Sequence, residues 1–135
     1  MKPIKLLLGI FALLVFSGIA SAEEINFFGY KVDKEHPDIV SIRKDAENGN
    51  AVAQFILGGC YMDGNTVPQD QVEGIKWVRK SAENNFSYAQ MALGVSYLRG
   101  IGVPQDKEEG LKWLRKAADN GCAEAQEIID EIAEN

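Results

Sequence analysis

Histidine occurs once in the 135 residues, at His36, and cysteine only twice, at Cys60 and Cys122. So small and scattered a set does not make a four-ligand zinc site by the usual spacing. His36 has no evident partner and reads as a residue at the start of a helix, just before Pro37. No serine or cysteine has a histidine nearby in sequence, so no nucleophile and base pair is legible. Gly100-Ile101-Gly102 precedes Pro104 and follows no strand, which excludes a phosphate-cradling loop. Positive charge is also scarce, with 14 Lys and Arg against 20 Asp and Glu. That balance argues against nucleic acid and anionic membrane surfaces as partners, since both need positive fields. The chain therefore reads as a non-enzyme with no cofactor and no metal, and its acidity as a solubility feature.

Long hydrophobic runs are absent but for one. Lys2 and Lys5 precede an apolar run from Leu6 to Phe16, and Ala20-Ser21-Ala22 fits a small-residue cleavage site. The run is short for a membrane span of ~20 residues. Residues 1–22 are thus expected to be a cleaved signal peptide rather than an anchor, and no cysteine follows to take a lipid. The product is expected to be exported, periplasmic or secreted, with no stable membrane insertion. It keeps 12 basic and 20 acidic residues, a formal charge of −8.

What the chain has is repetition. Ala53-Gln54, Ala89-Gln90 and Ala125-Gln126 recur at an offset of 36, as do Trp77 and Trp113, and Val67–Asp70 and Val103–Asp106. A fixed period of this size marks a solenoid of supersecondary units. Each unit reads as helix A, loop, helix B: 51–63, 64–69 and 71–84, then 87–99, 100–105 and 107–120. Asp70 and Asp106 stand as N-caps with Glu73 and Glu109 in capping-box spacing. A lone helix B, from Pro37 to Gly49, precedes the first unit, and a lone helix A, 123–133, follows the second. The expected fold is all-α, a short right-handed α/α solenoid of two complete and two partial 36-residue repeats spanning 37–135. Residues 23–36, with Phe27, Phe28 and Tyr30, read as an extended segment that caps the open end, or as a partner-binding arm.

Ala53, Leu57 and Tyr61, with Ala89, Leu93 and Tyr97, are the expected core stripe of the A helices, with Gly58 and Gly94 beside them and Trp77 and Trp113 filling the space between helices. Cys60 and Cys122 stand two repeats apart, a separation of nearly twice the ~8–10 Å between packed helices. A disulfide needs Cα atoms within about 7 Å. Two unbridged thiols are expected, with Cys122, near a loop, placed to cross-link two chains.

The words A-x-x-x-L-G-x-x-Y-x-x-G, G-V-x-x-D and W-x-x-K-A-A-x-x-G resemble the Sel-one-like repeat, a relative of the tetratricopeptide repeat. Ala53, Leu57, Gly58, Tyr61, Gly64, Val67, Asp70, Trp77, Lys80 and Ala82 carry the first copy. Ala89, Leu93, Gly94, Tyr97, Gly100, Gly102, Val103, Asp106, Trp113, Lys116, Ala117, Ala118 and Gly121 carry the second. Gly74 and Gly110 depart from the family's usual alanine at a cost of ~1 kcal/mol of helix propensity each. Ser81 and Asn85 also depart, and Thr66 stands where the second copy has Gly102. The third copy drifts to Asp130, Ala133 and Glu134, which suits a C-terminal cap.

The resemblance implies a monomeric scaffold that binds another protein through the concave surface lined by helix A. The helix-A positions outside the family core read Phe55/Gly59/Met62, then Met91/Val95/Leu98, then Glu127/Glu131/Glu134. Two readings of this strip stand: a docking groove, or packing against the preceding helix B. The resemblance also implies a narrower alternative, a periplasmic immunity protein neutralising a secreted antibacterial toxin such as a lipase. Cysteine-rich relatives associated with β-lactams carry paired cysteines in each repeat. This chain lacks that pairing, which makes a cell-wall or β-lactam enzyme the weakest reading.

Overall fold

The computed structural model describes residues 25–27, 30–32, 39–64 and 66–135. The expected signal peptide, His36 and Pro37 lie outside the described residues, and so do the ribbon side chains on which the capping reading rests. Strands β1 (Ile25–Phe27) and β2 (Tyr30–Val32) form an antiparallel ribbon with Ile25 opposite Val32. Six helices follow among the described residues: α1 (Ile39–Glu47), α2 (Ala51–Asp63), α3 (Gln71–Glu83), α4 (Ser87–Arg99), α5 (Lys107–Asp119) and α6 (Ala123–Glu134). Helices α2, α4 and α6 are A helices, and α1, α3 and α5 are B helices. The chain is an all-α helical-repeat solenoid, with its period as the sequence requires.

Local chemistry sets the boundaries. Asp70 and Asp106 accept from the amides of Glu73 and Glu109, each at 3.0 Å. The reciprocal half of the expected capping box does not form. The amides of Asp70 and Asp106 donate instead to the carbonyls of Tyr61 and Tyr97, at 2.9 and 2.8 Å, tying each loop to its own A helix. Glu73 is thereby released to pair with Lys76 at 3.3 Å, while Glu109 accepts from Trp113 Nε1 at 3.0 Å. Trp77 Nε1, the equivalent donor, is buried and has no partner among the described residues. After α3 the chain reverses through Asn85 at φ 63°, where the equivalent Gly49 and Gly121 take φ 92° and 90°. Asparagine tolerates this left-handed region better than most residues. Gly102, at the position where the first unit has Thr66, adopts it at φ 68°.

Within a unit, A meets B at paired glycines. A Cβ on Gly74 would stand 2.9 Å from the Gly58 carbonyl oxygen and 2.8 Å from Met62 Cγ. One on Gly110 would stand 2.8 Å from the Gly94 oxygen and 2.9 Å from Leu98 Cγ. The departure from alanine is thus required by a backbone-to-backbone approach, with Met62 and Leu98 laid over it.

Between units a buried polar ladder fixes register. Gln54 Nε2 donates to the Ala46 carbonyl at 3.1 Å and Gln54 Oε1 accepts from Asn84 at 3.0 Å. Gln90 repeats this with Ala82 and Asn120, at 3.0 and 2.8 Å. Every buried polar atom in these links is satisfied, which is the condition for burying an amide without penalty. Arg43 and Arg79 donate to the hydroxyls of Tyr61 and Tyr97, bracing each B helix to the next A helix and leaving the two tyrosines half-buried. Ser81 departs from alanine because its hydroxyl donates to the Ala51 carbonyl.

Both cysteines are free, as expected, and both are buried. Cys122 is therefore not presented for cross-linking. Its Sγ lies 3.6 Å from Met91 Sδ, inside the core between α4, α5 and α6.

Candidate functional site

The contacts of an A helix divide its circumference. On α2, Ala53, Leu57 and Cys60 pack with Ile42 and Ala46 of α1 and Trp77 of α3. Gly58 and Met62 face α3 of the same unit. Phe55 packs with Ala82, Ala89, Ala92 and Leu93, towards the following unit. At 100° per residue the side away from these contacts carries positions 52, 59 and 63, of which Gly59 is itself buried and Val52 half-buried against the first cluster. Their equivalents are 88, 95 and 99 on α4, and 124 and 131 on α6, with Asn135 just past its end.

The residues singled out in the sequence fall into different groups on this map. Phe55 and Met91 are core residues, 1% and 3% exposed, and do not line a surface. Met91 packs with Leu114, Ala117, Ala125 and Ile128, so both side chains are buried against the following unit. Met62 and Leu98 are half-buried over the glycines of their own B helix. Glu127 and Glu134 occupy the same two directions on α6, and both are exposed. Of the nine positions in the strip, Gly59, Val95 and Glu131 form the column on the remaining side; Gly59 is buried, and Val95 and Glu131 are half-buried. The sequence-based strip was thus rotated away from the open direction by the outer two of its three columns.

The column that sequence reasoning missed is Val52, Tyr88, Glu124, all half-buried. It was legible in principle from the 36-residue offset, by centring the helical wheel opposite the B-helix contact rather than beside it. Tyr88 ties the units together, packing on the clusters on both sides of α4. Phe86 extends the aromatic surface, with ring centroids 5.4 Å from Phe55 and 5.8 Å from Tyr88. Burial first, then the charges of Glu124 and Cys122, push the Tyr88 phenol above its usual range. Two columns therefore cross three A helices, apolar on the first two and carboxylate on the third.

Nothing in the described residues resembles a reaction centre. No three of His, Cys, Asp and Glu are grouped to hold a metal ion among them. An open cavity of about 640 Å³ lies between the start of α3, at Gln69–Val72, and the loop Gly100–Pro104. Its one acid, Asp70, is committed to the α3 cap. No described helix is long and apolar enough to cross a membrane.

Paired helices stacked in register, with their apolar positions consumed by packing, define an α/α repeat scaffold. Residues 51–86 and 87–122 each match the family model of the Sel1 repeat, so the chain belongs to that family. Proteins of this family typically mediate protein–protein interactions and are in general non-catalytic. Similar solved structures include a Sel1 repeat protein from Oxalobacter formigenes, 36% identical with a TM-score of 0.69, covering 77% of this chain and 30% of that one. Another is c5321, a protective antigen present in uropathogenic Escherichia coli strains displaying an SLR fold. It is 36% identical with a TM-score of 0.65 and covers 67% of this chain and 20% of that one. Helicobacter pylori cysteine rich protein B shares the fold at 23% identity and a TM-score of 0.65, covering 67% and 68%. The chain thus spans less than a third of the first two. No curated protein matches.

Proposed function

We propose that this chain is an exported scaffold that holds another protein against the open side of its A helices. The observation that carries the reading is the pair of columns Val52–Tyr88–Glu124 and Gly59–Val95–Glu131. Val52, Tyr88 and Val95 pack on the neighbouring clusters yet stay half-buried, as do Glu124 and Glu131, so each keeps part of its side chain at the surface, while Gly59 is buried. Export rests on Lys2 and Lys5, the apolar run to Phe16 and the Ala20-Ser21-Ala22 site.

The acidic last third of the chain favours a narrower version, a periplasmic immunity partner that covers a basic surface on a secreted toxin. A strain lacking the protein then becomes sensitive to that toxin, and a strain that stays indifferent counts against this version. The broader reading is tested by affinity capture from the envelope fraction with the native chain and a Val95→Lys variant. The native chain retains a partner that Val95→Lys loses while its helical circular dichroism is unchanged. Undiminished recovery by the variant means that the partner sits elsewhere.

A further inference from the structure

We propose that Met91, Cys122 and Glu124 form a binding site for a soft monovalent metal ion of the copper(I) type. Cys122 Sγ lies 3.6 Å from Met91 Sδ and 3.4 Å from Glu124 Oε2. Both sulfurs belong to residues that are 3% exposed, while Glu124 is half-buried and keeps contact with solvent. Repeat register shows what is unusual about the trio. Subtracting 36 gives Phe55, Phe86 and Tyr88, and these touch in the same order, with ring centroids 5.4 and 5.8 Å apart. An aromatic triad at the first junction between units is thus a sulfur, sulfur and carboxylate triad at the second. Methionine and cysteine also serve as plain core hydrophobes, which accounts for each sulfur taken singly. A glutamate in the first turn of α6 suits the helix dipole. Neither reason turns the carboxylate onto a buried thiol, where packing alone calls for another ring or an aliphatic group.

The donor set selects the ion. Thiolate and thioether are soft ligands that favour copper(I), whereas zinc takes cysteine, histidine and carboxylate. With bonds of about 2.3 Å, the zinc–thiolate length, one ion spans two sulfurs 3.6 Å apart at an angle of roughly 100°. Glu124, close to the same thiol, closes a third position. On binding, the S–H bond of Cys122 breaks and a sulfur–metal bond forms. The proton, already directed at Glu124 Oε2, passes to it and on to solvent, and no electron is transferred. Thiolate and monovalent ion cancel, so the core between α4, α5 and α6 takes on no net charge in the exchange. Cys122 also stands at the N-cap of α6, whose positive end favours a thiolate. Cys60 packs with Ala53, Leu57 and Trp77 and has no thioether in its cluster, which makes it the internal control. The site does not depend on the docking reading.

The probe is copper(I) alone, titrated anaerobically into the full chain against a coloured copper(I) chelator, with isotope-labelled methionine methyls followed by NMR. One ion per chain is expected, with the ultraviolet charge-transfer absorption of a copper(I) thiolate and a shift of the Met91 methyl but not of the Met62 methyl. Cys122→Ser is expected to abolish binding, Met91→Leu to weaken it about tenfold or more, and Cys60→Ser to leave it unchanged. Circular dichroism checks that each variant is folded, and the Met91 methyl shift in the native chain needs no variant at all. Failure of the native chain to hold copper(I) against the chelator overturns the site. Binding by Met91→Leu as tight as by the native chain overturns it too, because the metal is then held by a thiol without the thioether. Binding kept by Cys122→Ser, or lost with Cys60→Ser, places the metal elsewhere and likewise overturns it.

Discussion

Burial raises the Cys60 thiol from 9.0 to about 11, with Asp63 adding to the rise, and burial likewise takes Cys122 to about 11. Both thiols are then protonated and shielded across the neutral range, and the reactive species is the thiolate. Thiol titration of the native protein at pH 8 should detect essentially no reactive cysteine, and two after denaturation. Prompt native reactivity would contradict the burial described. The stability consequence has a definite sign: a raised native pKa means that the unfolded chain loses its thiol protons first. The stabilising contribution is complete below about pH 9 and is lost as pH rises from there towards 11. The melting temperature should fall over that window, and less steeply in Cys60→Ala. The absence of a disulfide was legible from the repeat offset. The inward turn of Cys122 was not, because an N-terminal helix position does not reveal which way its side chain points. Met91, which receives that sulfur, belonged to the strip for which both docking and packing stood open in the sequence.

For the helices, sequence reading succeeded where the signal is local. Asp70 and Asp106, the turn glycines and the apolar spacing located both ends of five helices to within one residue, because capping and left-handed turns depend on a few adjacent residues. It failed where a neighbouring element decides. Gly74 and Gly110 read as weak points of the B helices, yet they are where A and B backbones touch. Gly110→Ala separates these accounts. Propensity alone predicts a gain of ~1 kcal/mol, whereas overpacking costs about 1–3 kcal/mol. The Gly94 carbonyl cannot move aside as a flexible side chain can, so overpacking wins. Urea unfolding should show Gly110→Ala destabilised by about 1–2 kcal/mol, and a stabilised variant would contradict the close approach. The capping box failed for the same reason: the Asp70 amide found the Tyr61 carbonyl, a partner in another element.

For the molecule as a whole, the period prescribes a solenoid and the structure has one, two whole units between a lone B helix and a lone A helix. Where that solenoid offers a surface was only half legible. A helical pattern separates buried from exposed positions on an isolated helix, but an A helix here has neighbours on three sides. Phe55 and Met91 look like a docking strip until the following unit is laid over them. Val52, Tyr88 and Glu124 look unremarkable in sequence because the family pattern says nothing about them. The central claim is that a partner lies along the open side of the A helices. Site-specific photocrosslinking tests it most directly, with a photoreactive amino acid replacing Tyr88 or Val95 in turn, and Lys112 on the exposed side of α5 as the comparison. Adducts with the partner are predicted from positions 88 and 95 and not from 112. Adducts from 112 alone would contradict the account and move the binding surface to the B helices.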